Sequence, residues 1–369
     1  MVKNISVIGI GKLGLCFALT LEKQGYSVVG VDVSEEYIRM VNDKTLISPE
    51  PGLENDLKQS KNLTATTDVK KGLDHSDVLF LFVATPSLPN DRYDHKQIDR
   101  VVKHLIQYSS PSKTKHIIIG CTTMPGYCDT VQDSLLPYNY TVSYNPEFIA
   151  QGSVMRDLAN PDIVLIGEAS QPAGNEIKNI YLSIVQNQPS IHRMNRKEAE
   201  ITKIALNCFL TTKIAYANMV GDIAKSAGCN PNLILNAVGS DSRIGNKNLK
   251  YGYGYGGPCF PRDNRAFALF AGDVNIDAVI SKASDSGNQL HLKYQIEEFM
   301  KNNNKSKQIV FSGLSYKYGT TIIEESQKLA IATELAKDGY HIVIKDDQEV
   351  INQIKLIYGE LFEYKEINK

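Results

Sequence analysis

Ile5-Ser-Val-Ile-Gly9-Ile-Gly11-Lys-Leu-Gly14 is the stretch that decides the fold. A short β-branched run feeds a Gly-x-Gly-x-x-Gly turn, and the turn opens a helical pattern over residues 15–24. The three glycines serve a tight turn, close approach of backbone to a pyrophosphate, and tight packing of helix on strand. Alone, such a triplet is a weak signal. Here its strand and helix flank it, and Asp32 stands at the end of the second strand, at about the 20-residue spacing expected of a ribose-binding acid. A carboxylate there accepts hydrogen bonds from the adenosine ribose 2′-OH and repels a 2′-phosphate, which favours NAD over NADP. A glycine-rich turn that binds nothing, or an FAD site, is the alternative.

Working outward, short apolar runs alternate with helical patterns over the first half of the chain. Residues 5–8, 28–31, 78–83, 116–119, 141–144 and 163–166 read as strands. Their near-continuous apolar character suits a parallel sheet covered on both faces. A long helical pattern covers 196–227, opened by Asn195 and Glu198 in capping-box spacing and closed by Gly228. Ile201, Ala205, Phe209 and Tyr216, widened by Ile204, Leu210, Ala217 and Val220, recur at helical spacing and predict its buried face. Such a helix runs roughly 45–50 Å, enough to link two domains and to pair with a copy of itself. The polar run Asn302-Asn-Asn-Lys-Ser-Lys307 reads as a linker to a second α/β unit: strand 308–314, helix 326–337, a turn at Gly339 and strand 341–344. Beyond Gln348 only a short amphipathic tail is expected, so this unit reads as shortened.

The chain has 369 residues, too many for one ordinary core, and its 40 Lys+Arg nearly cancel 41 Asp+Glu. Neither nucleic acid nor an anionic membrane is favoured as a partner. No run approaches the ~20 apolar residues of a membrane span, and because the N-terminus enters a strand directly no signal peptide is expected. Six cysteines (16, 121, 128, 208, 229, 259) lack paired metal spacing, so no metal site is expected and a reduced, cytoplasmic protein fits best.

One cysteine has a distinctive setting, Gly252-Tyr-Gly-Tyr-Gly-Gly-Pro-Cys259-Phe-Pro-Arg-Asp263. Pro261 suits the first turn of a helix, which places Cys259 at the positive end of a helix dipole and beside Arg262. Both favour thiolate; Asp263 pushes the other way. The competing reading is a small buried hydrophobe, the common fate of an isolated cysteine.

Further segments add partners. They are Tyr144-Asn-Pro-Glu147-Phe148-Ile-Ala-Gln-Gly152, Asn160-Pro-Asp-Ile-Val-Leu-Ile-Gly167, Glu200-Ile-Thr-Lys203-Ile-Ala-Leu-Asn207, and Arg243-Ile-Gly245 leading into the cysteine loop. With the N-terminal turn, these ordered motifs resemble the UDP-glucose/GDP-mannose dehydrogenase family. The resemblance is clear to about Lys317 and weaker beyond. It implies an NAD-dependent nucleotide-sugar 6-dehydrogenase, most like one acting on UDP-glucose. The implied fold is α/β: a Rossmann-type NAD domain at 1–195, a central helical dimerisation domain at 196–301, and a short C-terminal nucleotide-sugar domain at 302–369. A homodimer is implied.

The resemblance also implies roles. Cys259 matches the nucleophile that captures the aldehyde as a thiohemiacetal and then carries a thioester. Lys203 and Asn207, four apart on one helix face, match an oxyanion pair. Asp263 matches a carboxylate that organises proton transfer and water, Glu147 the base for thioester hydrolysis, and Thr122 a threonine holding a water, with Thr123 the other register. On the cofactor side stand Gly9, Gly11, Gly14, Asp32, Thr85, Thr122 and Arg262, the last replacing a lysine. Substrate contacts are implied for Glu147, Phe148, Lys203, Asn207, Arg243 (reaching a partner subunit), Tyr253, Gly256 and Lys317. Three departures stand out: Gln151 replaces a second carboxylate, Tyr37 a basic residue near the ribose, and Glu324 an arginine that contacts NAD. They keep a non-catalytic nucleotide-sugar-binding homologue in view. A two-electron hydroxyacid dehydrogenase is the third reading, but it does not need Cys259.

Overall fold

The computed structural model describes residues 4–109, 113–149 and 152–367, which divide into two compact units, residues 1–203 and 204–369. The first is built on an eight-stranded sheet. Its strands are β1 (Asn4–Ile8), β2 (Ser27–Val31), β3 (Leu63–Thr66), β4 (Val78–Leu81), β5 (Lys115–Ile119), β6 (Tyr140–Tyr144), β7 (Ile163–Gly167) and β8 (Ser190–Met194). The order is β3-β2-β1-β4-β5-β6-β7-β8. Every pairing is parallel except β6 with β7, which meet antiparallel through Tyr144 and Gly167. An apolar layer covers each face: Phe17, Phe80 and Leu19 on one, Leu79, Ile119 and Val142 on the other. That two-sided burial is why the central strands read as unbroken apolar runs. The Phe17 and Phe80 rings lie 4.7 Å apart and seat the helix Lys12–Lys23 behind the glycine turn.

Two strands escaped the sequence reading. β3 is Leu-Thr-Ala-Thr and β8 is Ser-Ile-His-Arg-Met. Both are sheet edges with partly solvated faces, so neither carries a continuous apolar run.

The long helix Arg196–Ser226 forms with a reciprocal cap: Glu198 N–H donates to Asn195 Oδ1, and Asn195 N–H donates to Glu198 Oε2, both at 2.9 Å. Its expected buried face is corrected by the structure. Phe209 and Tyr216 are 65% and 49% exposed, and Met219 and Ile223 extend the same stripe at 50% and 62%. Of the expected residues, Ile204 and Ala217 are buried, and the side turned inward carries Cys208, Thr211, Ala215 and Asn218 with them. Apolar periodicity marks a face that wants burial without saying what buries it.

In the second unit the helix Val279–Asn302 leads to a parallel sheet of β9 (Ile309–Ser312), β10 (Ile342–Asp346) and β11 (Glu363–Glu366), ordered β11-β10-β9. The expected amphipathic tail is therefore more than a tail. It forms the helix Gln348–Tyr358 and then β11, with Ile354 and Phe362 packed into the core of this unit. Among the described residues, no helix is long and apolar enough to cross a membrane.

Candidate active site

The dinucleotide turn lies at the carboxyl end of β1. Gly9 has φ +86°, and a Cβ there would meet the Phe82 carbonyl oxygen at 2.5 Å. A Cβ on Gly14 would fall 2.0 Å from the Gly9 carbonyl oxygen. Both positions are packed shut by backbone. Gly11, at the helix N-terminus, differs: a Cβ on it would meet nothing within 4 Å, which leaves the approach a pyrophosphate needs. Half-buried Asp32 just past β2 accepts the Ser34 N–H at 3.3 Å. The half-buried Asp32 carboxylate and the open helix end fit an NAD molecule. Burial, and then the nearby Asp32 charge, pushes the Tyr37 phenol up.

Two threonines near this turn are told apart by their partners. Buried Thr85 donates to the Thr122 carbonyl at 2.8 Å. Thr123 is fully buried and donates to Glu200 at 2.8 Å, while Thr122 is only partly buried. Glu200 also accepts the Gly126 N–H at 2.6 Å and the Cys128 N–H at 2.9 Å, fastening the start of the helix Tyr127–Leu135.

Beyond β6, Glu147 is partly buried and accepts a hydrogen bond from the Tyr181 hydroxyl. Burial pushes this carboxyl up to about 7, opposed by the Tyr181 hydrogen bond and the Lys203 charge. Lys203, itself buried, donates to the Glu147 carbonyl oxygen at 2.7 Å, and its Nζ lies 4.4 Å from the centre of the Phe148 ring. A cation over an aromatic face beside a carboxylate of near-neutral pKa is a setting for proton transfer.

Within the second unit, Asn207 Nδ2 donates to the buried Asp263 carboxylate at 2.7 Å, and Arg262 Nε donates to its other oxygen at 3.2 Å. Cys259 is the N-cap of the helix Phe260–Asp273, and it is exposed. The buried-hydrophobe reading of this residue is thereby excluded. The six cysteines differ in burial: Cys16, Cys128 and Cys208 are buried, Cys121 is half-buried, and Cys229 and Cys259 are exposed. Burial pushes the Cys16 and Cys208 thiols up to about 12. The loop before Cys259 packs on residues 316–325. Gly257 (φ +80°) donates its N–H to the Glu324 carbonyl at 3.1 Å, and a Cβ there would lie 2.4 Å from the Tyr316 ring. A Cβ on Gly256 would fall 2.1 Å from the Glu325 carbonyl oxygen.

Other expected residues lie at the surface. Arg243 is exposed and is held by Asp241 at 2.7 Å. Tyr253 is 47% exposed, with Lys328 Nζ 5.5 Å from its ring centre. Lys317 and Glu324 are exposed. Gln151 lies outside the described residues.

Residues 3–185 match the NAD binding domain of the UDP-glucose/GDP-mannose dehydrogenase family, and residues 197–289 match its central domain. A UDP-glucose 6-dehydrogenase of Rickettsia typhi is 31% identical over 350 residues, covering 91% of this chain and 79% of that one. The chain belongs to the UDP-glucose/GDP-mannose dehydrogenase family. A GDP-mannose 6-dehydrogenase of Pseudomonas aeruginosa is 28% identical over 362 residues, covering 93% of this chain and 81% of that one. Among solved structures, a UDP-glucose dehydrogenase from Pyrobaculum islandicum matches with a TM-score of 0.90 and 26% identity, covering 100% of this chain and 87% of that one.

Membership in this dehydrogenase family makes NAD the cofactor and a nucleotide sugar the substrate class. The hydrogen bonds of the site also bring forward two residues that sequence reasoning missed. Tyr181 sits 34 residues from Glu147, on the helix Gln171–Ile184, and has no motif around it. Glu200 lies inside a quoted motif, yet only its three donors reveal its purpose.

Proposed function

We propose that the protein oxidises the C6 hydroxyl of a nucleotide sugar, UDP-glucose foremost, to the carboxylate in two two-electron steps. The exposed Cys259 at the head of a helix, beside the buried Asn207–Asp263 pair, is the observation that carries this reading. UDP-glucose is preferred because the 31% identical relative and the structure at TM-score 0.90 carry that name. Bound NAD supplies the two-electron acceptor, one molecule for each step. Lys203 and Asn207 hold negative charge on the C6 oxygen as it develops. The Cys259 thiolate adds to the aldehyde carbon, and this converts an aldehyde into an oxidisable tetrahedral alcohol. Oxidation of that thiohemiacetal gives a thioester. Water then attacks the thioester carbonyl, Glu147 takes the proton from the water, the carbon–sulfur bond breaks, and the Cys259 thiolate is restored. Asp263 orients Asn207 and neighbouring water, and Thr122 holds a water on the cofactor side.

The same reading includes a homodimer. The exposed stripe Phe209, Tyr216, Met219 and Ile223 offers an apolar face to a second copy, and the exposed Arg243, paired with Asp241 in the free chain, would turn to the partner's sugar site. The test of function is NADH yield across UDP-glucose, UDP-N-acetylhexosamines and GDP-mannose. Two NADH per UDP-glucose is expected. One would point to a two-electron enzyme, and none on any sugar to a binding protein.

A further inference from the structure

The loop 252–257 contains four glycines among six residues, a composition that ordinarily signals mobility. Its main chain is instead fastened from both neighbouring helices. Asn218, on the helix Arg196–Ser226, accepts the Gly252 N–H at 3.1 Å and donates to the Tyr253 carbonyl at 3.3 Å. Asn288, on the helix Val279–Asn302, accepts the Tyr255 N–H at 2.9 Å and donates to the Tyr255 carbonyl at 3.0 Å. Each amide thus offers the backbone what a neighbouring strand would. His291 Nε2 donates to the Gly252 carbonyl at 2.7 Å, joined by Gln295 at 3.1 Å. The other ring nitrogen lies 2.8 Å from Asp222, which also accepts from the Tyr251 hydroxyl at 2.9 Å. Asn218, Asn288 and His291 are each at most 3% exposed.

The glycines fit this clamp because they permit contact. A Cβ on Gly254 would fall 2.3 Å from Asn288 Oδ1, and one on Gly256 would fall 2.1 Å from the Glu325 carbonyl oxygen. Three buried side chains, 33 to 39 residues from their loop partners, spend their hydrogen-bonding capacity on one short backbone segment. Nothing in core packing requires that; holding the path of the chain toward Tyr253 and Cys259 does.

We propose that Asn218, Asn288 and His291 are positioning residues that keep loop 252–255 in its substrate-ready path before any ligand arrives, so that it acts as a rigid cradle. Preorganisation of this kind lowers the ordering cost of binding. The consequence for nucleotide-sugar affinity rests on the function proposed above; the rigidity of the free loop does not.

Hydrogen–deuterium exchange on the full chain, followed by mass spectrometry of the peptide spanning 251–258, tests it, with UDP as the probe ligand. Slow exchange in the free protein, little changed by UDP, is expected. His291→Gln and Asn288→Ala should each speed exchange in that peptide by about tenfold, the worth of roughly one net hydrogen bond. They should raise KM for the nucleotide sugar by a similar factor while leaving kcat and the KM for NAD within about twofold. Gln295→Ala, which removes only the second donor to Gly252, serves if the others fail to fold. Exchange of the wild-type loop at the rate of an unstructured chain would overturn the proposal. So would variants that loosen the loop and leave the sugar KM unchanged. A chain that oxidises no nucleotide sugar refutes the function but leaves the exchange result to stand.

Discussion

The Tyr181 hydroxyl donates its hydrogen bond to the Glu147 carboxylate, the group that burial lifts to a pKa of about 7. The contact stabilises the charged form and so opposes the burial that raises it. In the proposed role of base, Glu147 would work above its pKa, so turnover limited by thioester hydrolysis should fall as pH drops through 7. Tyr181→Phe removes one hydrogen bond to a charged group, worth about 1.5–3 kcal/mol, and should move that limb up by about one to two pH units. A kcat–pH profile whose acid limb stays put, or moves down, would remove Tyr181 from this role.

The same carboxyl predicts a stability effect of definite sign. Its folded pKa lies above the unfolded value, so the native state binds the extra proton between about pH 4.5 and 7, and stability is lost as pH rises through that window. Glu147→Gln is neutral throughout. It should raise Tm relative to the wild type more at pH 8 than at pH 4.5; an equal or reversed difference counts against a strained carboxylate.

Cys259→Ser should block product release after at most one turnover's worth of oxidation, because an oxygen ester cannot replace the thioester in the cycle. Sustained turnover at the wild-type rate, followed by NADH absorbance, would sink the covalent route.

Glu200 is fully buried and satisfies Thr123 and two helix-start N–H groups. Glu200→Ala strands all three donors and should cost about 3 kcal/mol or more in urea unfolding. Glu200→Gln keeps acceptors and should cost less. A loss below about 1 kcal/mol for the alanine variant would mean that the Thr122–Cys128 segment is held by something else.

Phe209→Asp places a charge in the exposed apolar stripe of the long helix. Sedimentation velocity should show a dimer for the wild type and a monomer for the variant. A monomeric wild type, or a dimeric variant, contradicts pairing through that stripe.

What could be read from the chain alone divides along sequence separation and burial. The Gly9–Gly14 turn and the Asn195–Glu198 cap were legible because each is complete within a few residues. β1, β4 and β5 were legible because burial on both faces leaves an apolar run. β3 and β8 were not, since edge strands are half solvated and lack it. The face of the long helix was misread at Phe209 and Tyr216, whose apolar spacing is real but which nothing within this chain covers. Cys259, Lys203 and Asp263 stood out through motifs. Tyr181, Asn218, Asn288 and His291 did not, because each acts on a segment more than 30 residues away and its residue type alone promises nothing.

The unequal placement of the thiols gives the protein a built-in counter. Cys16, Cys128 and Cys208 are sealed and held protonated, whereas Cys229 and Cys259 face solvent. Once Cys229 is replaced by serine, a mild alkylating reagent has one fast target, with the half-buried Cys121 a slower second. An acylated Cys259 cannot be alkylated. The fraction of enzyme that escapes labelling during steady turnover would then measure how much of it carries substrate bonded to Cys259, with no need for a spectroscopic reporter.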